Sequence, residues 1–293
     1  MLAYSGQGTE ATLKALSADD LRTFHSALYQ PSNATLIVVG DVTTNTVVPA
    51  LESAFGRAWT NRGAPRRATV PTAPSPASGQ IYLVDKPDAA QSVIEIGGVG
   101  VSRSTPDYFP IQVANTILGG SFSSRLNLNL REAHGYAYGA GSGFDMRLSS
   151  GVVAARAAVQ TDKTAEALRE FFNELEAISA RPVTDEELSR AKNYLALSFP
   201  GQFETSGDLS QQLEELIVYK LPDDYYERYV PEIQKATAAD VHRVSKQYIT
   251  PSTFVVLIVG DRKVIEPGIR ALKLPQPIRV LTVDEALDGA LPR

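Results

Sequence analysis

One stretch of the sequence occurs in two similar copies, and this repeat constrains the fold more than any other feature. Residues 17–41 read SADDLRTFHSALYQPSNATLIVVGD, and residues 237–261 read TAADVHRVSKQYITPSTFVVLIVGD. The copies align without a gap at a constant offset of 220 residues. Each predicts a capped helix, a proline turn and an apolar strand ending in Val-Gly-Asp. Chance similarity is the alternative, but cap, turn and strand keep one register, which favours an internal duplication.

The spacing of the copies predicts how the chain is organised. A unit of about 220 residues would end shortly after each Val-Gly-Asp, so the second unit fits within the chain and only the tail of a first unit precedes it. We therefore expect residues 1–60 to be the tail of a first half, 61–79 a linker and 80–293 a complete second half. The linker is expected because PTAPSPASG has the composition of an extended segment.

Composition excludes several classes of protein. The net charge of −5 and the isoelectric point near 5.4 argue against a nucleic-acid partner. No apolar run reaches the roughly 20 residues of a membrane span. Because the chain has no cysteine, disulfides, thiolate zinc ligands and cysteine nucleophiles are excluded. Composition does not decide between the bacterial cytoplasm and the periplasm.

The order of the predicted elements indicates an α+β fold with a mainly antiparallel sheet covered by helices. Strands are predicted at residues 81–84, 92–99, 136–144, 151–159 and 254–259. Successive helices between the last two strands do not fit a regular βαβ alternation. In the first copy of the repeat, residues 34–39 predict a strand that lacks partners and exposes an apolar edge. The tail beyond Pro275 is expected to pack loosely.

The sequence contains no cluster that predicts a metal site. The three histidines, His25, His134 and His242, are far apart. None belongs to His-x-x-Glu-His or His-Glu-x-x-His, the patterns that put two zinc ligands on one helix face. We therefore expect no metal ligand, no catalytic residue and no cofactor in this chain.

Two further kinds of site are disfavoured. Gly139, Gly141 and Gly143 fall within a predicted strand, whereas a dinucleotide fingerprint opens a helix. These glycines indicate instead that another backbone lies close. The G-x-S-x-G motif of serine hydrolases is absent from the sequence.

Arg131 and Tyr138 are the most informative polar pair. Arg131 ends a predicted helix, and Tyr138 lies on the next strand, across a loop at His134 and Gly135. Guanidinium and phenol groups both donate hydrogen bonds and suit a peptide carbonyl or a chain-terminal carboxylate. From the residues alone, a structural pair is the alternative, in which the arginine caps the helix and the tyrosine packs on the sheet.

The segment around this pair resembles one known family. LGGSFSSRLNLNLREAHGYAYGAGS is similar to the LGGG, SSRL, LRE and GLAY signature of the second half of pitrilysin-type zinc peptidases. This is the family of insulin-degrading enzyme and mitochondrial processing peptidase. The repeated segment resembles the family in its Asp-x-x-x-Phe helix, its Tyr-x-Pro-x-Asn turn and its Val-Gly-Asp strand end. The resemblance covers residues 4 to about 272.

This resemblance implies a fold, partners and a role for the pair. In the family, two related α/β halves form a clamshell around a peptide chamber, and the first half carries zinc on a His-x-x-Glu-His helix. The second half binds the substrate backbone through an arginine and a tyrosine, and Arg131 and Tyr138 stand at those positions. The chain is thus identified as the non-metal half, inactive alone. Its implied partners are a peptide or small protein substrate and a zinc-bearing half on the same polypeptide or another chain.

Other functions stay open. A non-catalytic scaffold or peptide-binding protein that retained the fold, as family members in respiratory complexes did, is the main alternative. An independent hydrolase with an unrecognised site is the second. The presence of both Arg131 and Tyr138 favours the peptidase half. The incomplete first half could also pair with another copy of the chain, giving a homo-oligomer.

Limited proteolysis tests the predicted boundary. The first cuts should fall between about Arg57 and Gly79, because an extended linker fits a protease more readily than a packed domain. Mapping of the earliest fragments by mass spectrometry checks this. Equal protection across the linker in a proven monomer would count against the boundary.

Overall fold

The structure, a computed structural model, describes residues 8–57, 59–61, 63 and 73–287. The chain divides into two compact units, Met1–Pro71 with Pro200–Leu221 and Thr72–Phe199 with Pro222–Arg293. The first unit thus takes in residues 200–221, which the sequence assigned to the second half. Residues 62 and 64–72 of the predicted linker lie outside the described residues, so its limits stay a prediction.

Helices make up much of the described chain. In chain order, the α-helices are α1 (Glu10–Ala15), α2 (Ala18–Leu28), α3 (Thr44–Leu51), α4 (Tyr108–Leu118), α5 (Arg125–Asn127), α6 (Thr164–Ala180), α7 (Asp185–Ser198), α8 (Ser206–Tyr219), α9 (Tyr225–Lys235), α10 (Ala238–Tyr248), α11 (Arg262–Ala271) and α12 (Val283–Leu287). Capping boxes start α1, α2, α3, α7, α8 and α10, which explains where these helices begin. Within the described ranges, none of the helices is long and apolar enough to cross a membrane.

The second unit is built on a six-stranded sheet. Its strands are β1 (Gln80–Asp85), β2 (Gln91–Val99), β3 (Ala137–Asp145), β4 (Val152–Gln160), β5 (Val255–Gly260) and β6 (Ile278–Leu281). They lie in the order β3-β4-β2-β5-β1-β6. The β3–β4, β4–β2 and β2–β5 pairs are antiparallel, whereas β5–β1 and β1–β6 are parallel. The predicted α+β fold with a mainly antiparallel sheet is confirmed.

The two faces of this sheet are covered differently. Side chains alternate along β2 and β4, and one set, including Ile94 and Val153, is buried on an inner face. Helix α6 packs on that face, and α4 and α10 pack against α6. The outer face is covered at the β1–β6 end, where Ala286 of α12 packs on Tyr82 and Leu281. Over β2 and β4 the outer residues are partly or fully exposed.

The two copies of the repeat have the same local structure in different surroundings. Helices α2 and α10 begin and end at equivalent residues, and a 3₁₀ turn follows each. In the second copy, Val241 and Ile258 are both 0% exposed, because β5 lies between β1 and β2 and α10 packs on α4 and α6. In the first copy, the equivalent Leu21 and Val38 are 59% and 45% exposed.

The prediction of a strand at residues 34–39 is wrong. This segment forms neither helix nor strand in the structure. A β-strand exists only where a neighbour completes its hydrogen bonds, and none of the described strands pairs with it, whereas β5 has a partner on each side. Leu36 is 60% exposed, so this segment exposes apolar side chains as the sequence predicts, although it forms no strand.

The prediction that the tail beyond Pro275 packs loosely is also wrong for residues 276–287, and residues 288–293 lie outside the described residues. Strand β6 pairs with β1 in parallel, and α12 follows it. Leu281 is 2% exposed and packs against Tyr82 and Val84 of β1. A strand of four residues is too short for its pattern to stand out in a sequence, and the pairing with β1 decides its structure.

Matched substitutions in the two copies should differ sharply in their effect on the free energy of unfolding. Ile258→Ala should lower the free energy of unfolding of the second unit by about 2–5 kcal/mol, because it leaves a cavity in a packed core. Val38→Ala, at the equivalent exposed position, should change stability by less than about 0.5 kcal/mol. Urea unfolding followed by circular dichroism reports the first change. Fluorescence of Trp59, the single tryptophan of the chain, reports the second from within the first unit. Equal costs for the two substitutions would show that the first copy is buried in the isolated chain.

Candidate functional site

An open groove of about 610 Å³ crosses the sheet of the second unit at its β3 edge. Strands β2, β3 and β4, the chain between α4 and α5, the α5 region and α7 all contribute to it. The lining residues are Val93, Gly119, Gly120, Ser121, Phe122, Asn127, Arg131, Tyr138, Gly139, Ala140, Gly141, Arg156, Ala157, Ala158 and Tyr194. Both residues that the sequence singled out, Arg131 and Tyr138, are among them.

The strands that form the floor of the groove carry mostly small residues, which leave space above the sheet. In the β3–β4 register, Gly141 pairs with Arg156 and Gly143 with Ala154, so glycine occupies successive outward positions of β3. Glycine in a strand exposes the backbone to a close neighbour or a ligand. A Cβ at Gly141 would lie 3.0 Å from the carbonyl oxygen of Gly119, which confirms for this glycine that another backbone lies close. For Gly139 and Gly143 the prediction is wrong, because a Cβ would meet only the Asn127 side chain at 3.6 Å at the first position and nothing within 4 Å at the second.

The chain between α4 and α5 is fixed to the edge of β3. The Ser142 N–H donates to the Gly119 carbonyl at 3.1 Å, and a Cβ at Gly119 would lie 2.2 Å from that nitrogen, so this approach requires glycine. The side chain of Asn127, 4% exposed, accepts from the Ala140 N–H at 3.2 Å and donates to the Phe122 carbonyl at 2.7 Å. Asn127 therefore holds the wall of the groove against β3.

Arg131 and Tyr138 meet at the edge of the groove. Arg131 lies in a π-helical turn, and Gly135, with φ of +65°, lets the chain reverse before β3 begins. The guanidinium carbon of Arg131 lies 5.1 Å from the centroid of the Tyr138 ring and 4.6 Å from that of Phe122. Cation–π attraction to two rings orients the guanidinium, and its Nε lies 3.2 Å from a carboxylate oxygen of Glu132. Tyr138 is 87% exposed.

An ion pair between α5 and α7 supports this arrangement. Arg125 donates to both carboxylate oxygens of Glu187 at 2.6 and 2.9 Å, and both side chains are mostly buried. Glu187 also accepts from the Thr184 N–H in the capping box of α7. The hydrogen bonds from Arg125, then those from Thr184, lower the pKa of Glu187 from 4.5 to about 2, although burial acts in the opposite direction. The pair ties α5, which leads directly into the turn of Arg131, to α7.

The residues present do not fit a zinc ion. In the part of the chain that the structure describes, no three His, Cys, Asp or Glu side chains are grouped so that they could hold a metal. His25 and His134 stack on neighbouring tyrosines. The Nε2 atom of His242 lies 3.1 Å from the carbonyl oxygen of Ser179.

Sequence reasoning missed several lining residues. Phe122 and Asn127 lie inside the informative segment, but neither belongs to a recognisable chemical pattern. Arg156 stands out in the sequence as the single charged residue of the small-residue strand VVAARAAVQ, but only the β3–β4 register brings it to the groove. Tyr194 comes from α7, and no sequence pattern predicts that this helix reaches the groove.

The comparisons with known proteins define the class. The family described as the peptidase M16 inactive domain matches residues 15–195, more than half of the chain. The chain belongs to this family. The resemblance to the second, non-metal half of pitrilysin-type peptidases is thereby confirmed.

Individual relatives agree with this assignment. The chain is 26% identical to an uncharacterized zinc protease of Streptomyces coelicolor, over 87% of this chain and 57% of the relative. The crystal structure of a peptidase M16 inactive domain from Pseudomonas fluorescens has the same fold, with a TM-score of 0.78 and 23% identity over 87% of this chain and 60% of that one. A chain of complex III2 from Candida albicans gives a TM-score of 0.73 and 15% identity over 92% and 66%. The chain thus spans little more than half of the length of the Streptomyces relative.

The Arg125–Glu187 pair should make the stability depend on pH. Because folding lowers the pKa of Glu187, its contribution is present above about pH 4.5 and is lost as the pH falls towards 2. Glu187→Gln should therefore lower the free energy of unfolding by about 1.5–3 kcal/mol at pH 7, and the gap to wild type should close as the pH approaches 2. Urea unfolding between pH 7 and pH 3 measures the gap.

Glu186→Gln is the matched control. Its side chain is 88% exposed and lies 3.5 Å from Arg190 in a surface pair, so its removal should have little effect at any pH. If Glu187→Gln and wild type differ by the same amount at every pH, the ion pair does not carry the acid sensitivity.

Proposed function

We propose that this chain is the substrate-binding, non-catalytic half of a pitrilysin-type zinc metallopeptidase. The observation that carries the proposal is the Arg131–Tyr138 pair, whose guanidinium carbon and ring centroid lie 5.1 Å apart at the edge of an open groove. The chain supplies one wall of a peptide chamber and holds the peptide backbone. Hydrolysis depends on a zinc-bearing half that contributes the metal and the general base.

The chemistry of the pair suits a peptide backbone. A peptide carbonyl accepts hydrogen bonds, and both the guanidinium and the phenol donate them. Because Tyr138 is 87% exposed, its ring adds little to a core, and its hydroxyl is accessible to a ligand. The guanidinium is oriented by two rings and Glu132 before any ligand arrives, so little side-chain entropy is lost on binding. Donors fixed beside a scissile bond accelerate its cleavage by positioning the substrate.

The repeat supports a zinc-bearing half as partner. In the second copy, a sheet strand on each side and helices α4 and α6 cover the apolar residues of α10 and β5. In the first copy, the equivalent Leu21, Leu36 and Val38 are exposed. The rest of a first half, built like the second, would cover them in the same way, whether it belongs to the same polypeptide or to another chain. A second copy of this chain at the same surface is the alternative occupant.

A scaffold function is the second candidate. It is favoured by the likeness of the fold to a chain of complex III2 from Candida albicans, with a TM-score of 0.73. In that case the groove would serve assembly and the Arg131–Tyr138 pair would be structural.

Substitution of the pair in an assembly with the zinc-bearing half tests the proposal. Tyr138→Phe and Arg131→Lys should each lower peptide turnover by about 10²–10³, because each removes or misplaces one preorganised donor. The melting temperature and the extent of assembly should stay near those of wild type, since Tyr138 is exposed and Arg131 lies at the surface of the groove. Turnover of a quenched fluorescent peptide measures the first effect, and calorimetry with size-exclusion chromatography measures the second.

The outcomes separate the two candidate functions. Full turnover by both variants, or a loss that follows only from unfolding, assigns the pair a structural role. Absence of hydrolysis by the wild-type assembly, with assembly intact, favours the scaffold.

A further inference from the structure

We propose that the groove prefers peptides that carry a carboxylate, and that Arg156 is the residue that binds this group. The inference rests on the proposed function, because it requires a peptide in the groove beside Arg131 and Tyr138. It adds a substrate class and a specificity-determining residue to that function.

The side chains that line the groove are unbalanced in charge. Two arginines, Arg131 and Arg156, are among the lining residues, and none of the described lining residues is Asp or Glu. The remaining side chains are small, aromatic, aliphatic or uncharged polar groups. Glu132 lies 3.2 Å from Arg131 and offsets part of its charge, so among the described residues Arg156 carries the lining charge that no ion pair offsets. A cleft lined by one sign of charge raises the local concentration of ligands of the opposite sign.

The residues beside Arg156 on the sheet let it reach the groove. Arg156 occupies an exposed outward position in the middle of β4. Its register partner on the neighbouring strand β3 is Gly141, which has no side chain. Its register partner on the other neighbouring strand, β2, is Glu95. Within the described residues, no ion pair joins Arg156 to Glu95, and Arg156 lines the groove whereas Glu95 does not. The Arg156 side chain is therefore available to a ligand in the groove, on the side of β4 where Gly141 leaves space.

The two arginines differ in how far their donors are already used. Arg131 has a carboxylate oxygen of Glu132 at 3.2 Å, and its guanidinium carbon lies 4.6 and 5.1 Å from the ring centroids of Phe122 and Tyr138. Arg156 has neither an ion pair nor a side-chain hydrogen bond in the described part of the chain, so its N–H donors are available. A guanidinium presents them as a planar fork that matches a carboxylate with two parallel hydrogen bonds. Arg131 thus suits the backbone of a peptide, and Arg156 suits its acidic group.

Peptide binding by the full chain tests the inference. Dye-labelled peptides with blocked termini, identical except for a central Glu, Gln or Lys, are titrated with the chain and followed by fluorescence anisotropy. The Glu peptide should bind about three- to tenfold more tightly than the Gln peptide, as expected for one charge-assisted contact near the surface, and the Lys peptide should bind most weakly. A Gln peptide with a free C-terminus reports whether a terminal carboxylate serves as well.

The decisive readout is the ratio of affinities, whatever the change in overall affinity. In Arg156→Gln, the advantage of the carboxylate-bearing peptides should fall to about one. Arg169→Gln is the matched control, because it removes an exposed arginine from α6, which packs on the inner face of the sheet, and it should leave the ratio unchanged.

Four results would overturn the inference. A ratio of one in wild type, or a ratio that survives Arg156→Gln, contradicts it while peptide binding itself stands. An equal loss in Arg169→Gln would assign the preference to overall charge. Failure of wild type to bind any of the peptides would contradict the proposed function as well.

Discussion

The pairing of β5 with β2 on one side and β1 on the other is the interaction on which the second unit depends. Strand β5 comes late in the chain and lies between β1 and β2, which are neighbours in sequence. It therefore joins these two strands into one sheet. Val256 and Ile258 of β5 become fully buried on the inner face, where α6 packs and α4 and α10 follow. Because these helices gather on one face, the outer face over β2 and β4 stays open, and the groove forms there.

The contrast between the copies of the repeat shows how much a strand depends on its neighbours. Both copies carry the same capping box, helix length and 3₁₀ turn, since these features are set by contacts within a few residues. Residues 34–39 are as apolar as β5, yet they form no strand, because no described strand offers them hydrogen bonds. Leu36 and Val38 are therefore exposed because no packing partner covers them among the described residues, and not because their local preference differs.

Some residues of the groove could be predicted from the sequence, and others could not. Arg131 and Tyr138 could be selected from the sequence, because a helix end and the following strand bring residues seven positions apart together across a glycine loop. Arg156 and Tyr194 could not be added to them in the same way. Arg156 reaches the groove only because the β3–β4 register puts Gly141 beside it, and Tyr194 only because α7 lies near the β3 edge. Pairing between strands and packing of helices are long-range, so a local pattern does not contain them.

The sequence by itself determined the repeat with its two capped helices, five of the six described strands, the α+β class and the Arg131–Tyr138 pair, because each follows from local periodicity, capping or a motif. Only the tertiary structure decided that residues 34–39 stay unpaired and that the tail adds β6 to β1. It also decided which face of the sheet is open and that Arg156 joins Arg131 in the groove. These features depend on hydrogen-bond partners and packing surfaces far away in the chain, and a side chain acquires them only when the sheet is assembled.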